Sequence, residues 1–226
     1  HLIWCFGHLD GNKLSIANAT DSSIIQQMVA LKQRNPKLKV MLSLGGWGGC
    51  EHCSAVFSSD SGRKEFAQSA KALNDFFKTD GIDLDWEYPV VKGFPGHAYS
   101  PDDKNNFTAL VKTLRETLNP ANEISFAAGG FTSYIDSAID WREAIKYVDF
   151  INVMSYDLVH GYSKISGHHT PLYSTPQQIE STDHAVTLMF NAGVPENKIV
   201  IGAAFYGRFF KMTTKGPIDL YQPCEF

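Results

Sequence analysis

The sequence predicts an α/β fold in which parallel strands and helices alternate around a barrel. Three observations carry this expectation. Six apolar runs read as near-continuous buried strands, as strands do when helices cover a parallel sheet. Helical stretches separate these runs in strict alternation. Each run ends in a glycine, aromatic or acidic cluster, and in β/α barrels the carboxyl ends of the strands carry the chemistry.

The elements follow in order. Leu2 to Gly7 is a short strand ended by a glycine, and Asp21 caps a periodic stretch through Met28, Val29 and Leu31 that stops before Pro36. Lys39 to Gly46 is the second strand, running into Gly45-Gly46-Trp47-Gly48-Gly49, with a helix from about Ser61 to Phe77. The third strand, from Gly81, is acidic. After a loop from Val90 to Ser100, Pro101 and Asp102 open a helix bearing Phe107, Leu110, Val111, Leu114 and Leu118 on one face. Glu123 to Gly130 is a strand and Ile135 to Tyr147 a helix. Phe150 to Tyr156 is a strand, followed by a loop with Gly161, Gly167, His168, His169 and Pro171 and a helix from about Ser181 to Asn191. Lys198 to Gly207 closes the series. An open doubly wound sheet would need a phosphate-binding glycine turn after the first strand, and Gly7-His8-Leu9-Asp10-Gly11 does not supply one. Six strands are too few for the usual barrel, so one more is expected at each end. Lys211 to Phe226 has turn residues without periodicity and reads as the start of an insertion. The expected division is therefore a barrel over 1–210 and the opening of a second unit over 211–226.

Composition bounds the function. With 226 residues, 43% hydrophobic and 12% aromatic, the chain can bury one full core. A net charge of −4 and no cluster of Lys or Arg exclude a nucleic-acid partner. No apolar run approaches the roughly 18 to 20 residues of a membrane span, and the chain starts at His1 without a charged leader. A monomer is expected. Of the four cysteines, only Cys50-Glu-His-Cys53 has suggestive spacing. Neither a thioredoxin-like context nor a second pair of zinc ligands accompanies it, which leaves a loop disulfide or two free thiols. Cys5 reads as a small buried hydrophobe.

The acidic run Asp80-Gly-Ile-Asp-Leu-Asp-Trp-Glu-Tyr-Pro89 places four carboxylates in an otherwise buried strand, at a cost that chemistry must justify. Extended, it puts Asp83, Asp85 and Glu87 on one face and Ile82, Leu84 and Trp86 on the other. Acids about 7 Å apart along a strand disfavour each other's ionisation, which keeps one protonated as a general acid. A solvated acidic strand fits poorly with apolar flanks, and a divalent-metal cluster is the remaining alternative. Asp80 is out of register with the other three and reads as fixing the strand start.

With this strand, the Gly-Gly-Trp turn, Met154-Ser155-Tyr156-Asp157 and Phe205-Tyr206-Gly207-Arg208 in order, the chain resembles the family 18 glycoside hydrolases, the chitinases. The resemblance implies a (β/α)8 TIM barrel of which the chain covers roughly strands 2 to 7, with an α+β insertion beginning near Lys211. It implies Glu87 as general acid and then base, and Asp85 as the carboxylate that orients the substrate's 2-acetamido group. That group's carbonyl oxygen then attacks the anomeric carbon to give an oxazolinium and net retention, the substrate-assisted exception among glycosidases. Asp83 would share a proton with Asp85, with Ser43 as a hydrogen-bond partner, and Tyr156 would hold the acetamido oxygen. Asp157, Arg208, Tyr206 and Tyr88 match sugar-binding positions, as do Phe6 and Met154, which otherwise fill the barrel. Trp47, between glycines, reads as a stacking platform. No cofactor or metal is implied, and His168 and His169 read as hydrogen-bonding loop surface.

The expected substrate is chitin or N-acetylglucosamine oligosaccharides. An endo-β-N-acetylglucosaminidase on N-glycans shares the motif, and a chitin-binding lectin on the same fold typically lacks the acid at position 87. A metal-dependent hydrolase using the three acids would lose activity with chelator. The resemblance and a loop disulfide point to an extracellular or cell-envelope location.

Overall fold

The computed structural model describes residues 1–216 and 218–226. Six parallel strands stand in sequence order: β1 (Leu2–Asp10), β3 (Val40–Gly45), β4 (Gly81–Asp85), β5 (Glu123–Gly129), β6 (Phe150–Met154) and β7 (Ile199–Ile201). A short β2 (Lys13–Ser15) folds back antiparallel on β1. The helices are α1 (Ala19–Ala30), α2 (Cys53–Phe57), α3 (Asp60–Phe77), α4 (Asp103–Thr117), α5 (Thr132–Ser137), α6 (Trp141–Ala144) and α7 (Thr182–Asn191). Strands in chain order, each neighbour parallel and joined through a helical crossover, are the barrel arrangement.

The alternation read in the acidic strand is what assembles the core. Ile82, Leu84 and Trp86 turn toward the helices, where α3 buries Phe66, Ala67, Ala70 and Phe77 and α4 buries Phe107, Leu110, Val111 and Leu114. Trp86 lies against Phe57 and Phe107, with ring centroids 5.5 Å and 6.4 Å away. The opposite face of β4 is left for the acids.

Several boundaries differ from expectation for local reasons. Asn18, not Asp21, caps α1: its side chain accepts the Asp21 amide at 3.0 Å, and Asp21 lies in the first turn. The stretch expected as one helix from Ile135 to Tyr147 breaks into α5 and α6 because Asp140 accepts the Glu143 amide and starts a new helix. Gly11, at φ +56°, makes the β1–β2 turn that apolar periodicity does not reveal. The last strand is three residues long, not ten. Cys5 is exposed rather than buried, because the register of β1 against β3 shifts between Trp4 and Gly7 and re-aims the side chains there. Cys50 and Cys53 form a disulfide. In the tail, β8 (Lys211–Met212) pairs antiparallel with β9 (Cys224–Glu225), and the chain bonds back to the loop after β6 through Ser166 and Lys164.

One glycine fixes the position of the site. Gly45 ends β3 at φ +107°, and a Cβ there would lie 2.2 Å from the Asp85 carbonyl oxygen. Gly45→Ala should therefore destabilise the fold by about 2–4 kcal/mol, measured by urea unfolding, since both the backbone conformation and the close approach exclude a side chain.

Candidate active site

The acids stand at the carboxyl end of β4, in rows set by strand register. Ser43, Asp83 and Ser125 are register partners across β3, β4 and β5. Ser43 donates to Asp83 Oδ2 at 2.7 Å, while Ser125 and Asn152 donate to Oδ1 at 2.6 Å and 3.1 Å. Both oxygens of Asp83 are thereby occupied. The expected proton-sharing contact between Asp83 and Asp85 is not formed, since three neutral donors have taken its place. Asp85 Oδ1 is instead buried without a partner. Ser125 and Asn152 were not singled out in the sequence, although each is a polar residue inside an apolar strand.

The strand itself ends at Asp85, so Glu87 lies just past it rather than within it. Glu87 still comes to rest nearly buried, at 9% exposed. Gly93 of the following loop packs behind it, where a Cβ would sit 2.1 Å from the Glu87 carbonyl oxygen.

Burial dominates the electrostatics. Desolvation pushes Asp85 up to about 8, helped by the negative charges of Glu87 and Asp83. Desolvation also lifts Glu87 to about 6, with the Tyr88 hydroxyl acting the other way and Asp157 adding to the rise. Asp83 is raised by burial against its three hydrogen bonds. Of these three neighbouring carboxyls, Asp85 keeps its proton through neutral pH and Glu87 keeps its own below about 6. Asp80 lies apart from them: it accepts Lys32 Nζ at 2.7 Å and the Val40 amide at 2.8 Å, tying β4 to its neighbours.

Around the acids, loops supply hydroxyls and rings. Tyr156 follows β6, and burial raises its pKa to about 12, so it is a neutral donor. Asp157, at φ +54°, accepts the Tyr206 hydroxyl at 2.7 Å and Arg208 Nε at 2.8 Å. Burial acts to raise its pKa, but those bonds and the charges of Arg208 and His169 hold it below the usual carboxylate range. Trp47 is 49% exposed. Its ring meets Phe94, Tyr162 and Tyr88 at 5.6, 6.4 and 6.5 Å, an aromatic group drawn from two further loops, those after β4 and β6. Phe94 and Tyr162 lie in irregular loops and gave no periodic signal. Phe6 is 42% exposed and covers Gly46, where a Cβ would meet its ring at 2.6 Å. Met154, at the end of β6, is half-buried. Tyr88 packs on Phe131 and Tyr134, both unremarked in the sequence. Among the described residues, no three His, Cys, Asp or Glu side chains are grouped to hold a metal ion.

Residues 1–225 match the Glycosyl hydrolases family 18. The chain belongs to that family. Within family 18, it is 34% identical over 235 residues to Chitinase A1 of Niallia circulans, covering 96% of this chain and 34% of that protein. It is 31% identical over 228 residues to Chitotriosidase-1 of Mus musculus, covering 95% and 48% respectively. The chain thus spans about a third to a half of these relatives. A solved family 18 N-acetylglucosaminidase from Paenibacillus barengoltzii superposes with a TM-score of 0.87 at 36% identity, over 98% of this chain and 66% of that one. The fold is that of the family 18 (β/α)8 barrel.

Proposed function

We propose that this family 18 chain hydrolyses β-1,4-linked N-acetylglucosamine polymers with retention, through substrate-assisted catalysis. The observation that carries the reading is the graded set of acids. Asp83 accepts from three neutral donors, Asp85 holds an unpartnered buried oxygen, and burial lifts Glu87 to about 6. Glu87 gives its proton to the glycosidic oxygen as the bond to the anomeric carbon breaks. The acetamido carbonyl oxygen of the same sugar closes on that carbon, and the acetamido N–H points to Asp85, whose free Oδ1 accepts it. Tyr156 donates to the acetamido oxygen. Glu87, now a carboxylate, takes a proton from the incoming water, which opens the oxazolinium and restores the acid.

Trp47, with Phe94 and Tyr162 beside it, offers ring faces to the sugar chain. Asp157, Arg208 and Tyr206 offer charged and hydroxyl partners to sugar hydroxyls. Glu87 argues against a non-catalytic lectin, and the Trp86-Glu87-Tyr88-Pro89 ending favours chitin over N-glycan cores. The exposed Val200 and Ile201 on the outer edge of β7 suit a domain in which further strands complete the barrel, with β8 and β9 opening an inserted unit. A disulfide supports an extracellular or cell-envelope location. Among the described residues no helix is long and apolar enough to cross a membrane.

The test is incubation with N-acetyl chito-oligosaccharides, with and without chelator, reading product anomers by NMR at early times. Chelator-insensitive release of the β-anomer is expected. Release of the α-anomer, or cleavage blocked by chelator, would refute the mechanism.

A further inference from the structure

Asp103, the first residue of α4, is fully buried although its side chain is a carboxyl. Both of its oxygens are in use, as burial of such a group requires. Oδ2 accepts the Ser100 amide at 2.7 Å and the Val90 amide at 3.4 Å, and Oδ1 accepts the Ser54 hydroxyl at 2.7 Å. The bond to Ser100, three residues back, is one half of a capping box and serves the start of the helix. The other two bonds do not serve the helix. One reaches the opposite end of the loop after β4, and the other reaches α2, 49 residues earlier in the chain.

Both of these contacts lead to the rings that flank the acids. Val90 stands at φ +66°, a left-handed conformation that a β-branched residue holds only where its surroundings impose it. Pinning Val90 and Ser100 to one oxygen closes the loop between them, the loop that brings Gly93 behind Glu87 and Phe94 against Trp47. Ser54 directly follows Cys53, whose disulfide to Cys50 ties α2 to the turn that carries Trp47. That turn has no room to shift toward its neighbour: a Cβ at Gly48 would lie 3.2 Å from the Phe94 ring. The loops after β3 and β4 therefore meet twice, once at the Trp47 and Phe94 rings and once at Asp103.

We propose that Asp103 is a positioning residue that locks the loop after β3 to the loop after β4 and so fixes Trp47 against Phe94, setting the grip on the sugar chain. It acts through other residues and reaches no substrate itself. One arm runs through Ser54 and the disulfide to the Trp47 turn, and the other runs through Val90 and Ser100 to Phe94. The acids are held independently, by the register of β4 and by the three donors to Asp83. Uncoupling the two loops should therefore weaken the hold on substrate without slowing the bond-breaking step, which is a change in KM and not in kcat.

The inference rests on the glycosidase reading only for its kinetic arm. Ser54→Ala cuts the bond to α2 and leaves the start of α4 intact. KM for a chito-oligosaccharide should rise about fivefold, the size of one lost hydrogen bond, with kcat changed by less than about twofold. Asp103→Asn should keep KM within about twofold of the native value, because Nδ2 can donate to the Ser54 hydroxyl while Oδ1 accepts both backbone amides. Ser100→Ala removes only the hydroxyl that accepts the Asp102 amide at the helix start, so it should lower the melting temperature and leave KM in place. A native KM in Ser54→Ala, or an equal rise in Ser100→Ala, would overturn the proposal. The second arm needs no substrate. Trp4, Trp86 and Trp141 are buried and Trp47 is exposed, so acrylamide quenching of tryptophan fluorescence reports Trp47. Quenching should increase in Ser54→Ala and stay native in Ser100→Ala; native quenching in Ser54→Ala would also overturn the proposal. Increased quenching in Ser54→Ala from a native chain that hydrolyses no chito-oligosaccharide would support the lock and count against the glycosidase reading alone.

Discussion

Glu87→Gln should lower kcat by about three to four orders of magnitude, the upper range for loss of a general acid that also serves as base. Glutamine fills the same volume behind Gly93 and keeps a polar group toward the cleft, so the binding surface survives. The dissociation constant for a chito-oligosaccharide, measured by calorimetry, should change by less than about threefold. A loss of binding equal to the loss of rate would make Glu87 a structural residue. The native chain supplies a matching observation. Burial lifts Glu87 to about 6, so the free enzyme holds the required proton below that pH and loses it above. The alkaline limb of kcat/KM should therefore fall through about pH 6 and report Glu87. A limb set by another group would persist in a variant where Glu87 is intact and its burial is relieved, as by opening the loop at Gly93.

The acidic strand was legible because its signal is local: one row of acids facing one row of Ile82, Leu84 and Trp86 is a property of seven consecutive residues. The barrel order was legible for a similar reason, since each βα unit is written in one continuous stretch. Ser125 and Asn152 were not, because what makes them matter is register. Each reaches Asp83 only once β5 and β6 have been laid beside β4, an arrangement fixed by helix packing on the far face. The shared proton expected between Asp83 and Asp85 is not accompanied by a hydrogen bond between them for the same reason. Spacing along one strand cannot show that hydroxyls on two others will occupy Asp83 first. Loops were the least legible. His160 is held by the local turn at Ser163, but Ser166 is placed by the return of the tail and His169 by Tyr206, contacts between segments far apart in sequence.

Asp85→Asn should change activity and stability in opposite directions, and the two signs together identify its role. Asparagine cannot become the carboxylate that would balance the developing oxazolinium, and its amide can offer a donor where an acceptor is needed. The expected loss in kcat is about two to three orders of magnitude, as for removal of an electrostatic partner in a water-poor site. Stability runs the other way. Burial and the charges of Glu87 and Asp83 raise Asp85 from the ordinary carboxyl range to about 8. Between about pH 4 and pH 8 the folded chain keeps a proton that the unfolded chain has released, so stability falls as pH rises through that window. Asparagine does not titrate and escapes this loss. At pH 8 the variant should be more stable by on the order of 2 kcal/mol, or roughly 4–8 °C in melting temperature, and at pH 4 the difference should vanish. Calorimetric melting at the two pH values measures it. A variant both slower and less stable at pH 8 would mean that Asp85 holds the barrel mouth together; one slower and more stable would mean that the fold bears the cost of an acid placed for the substrate.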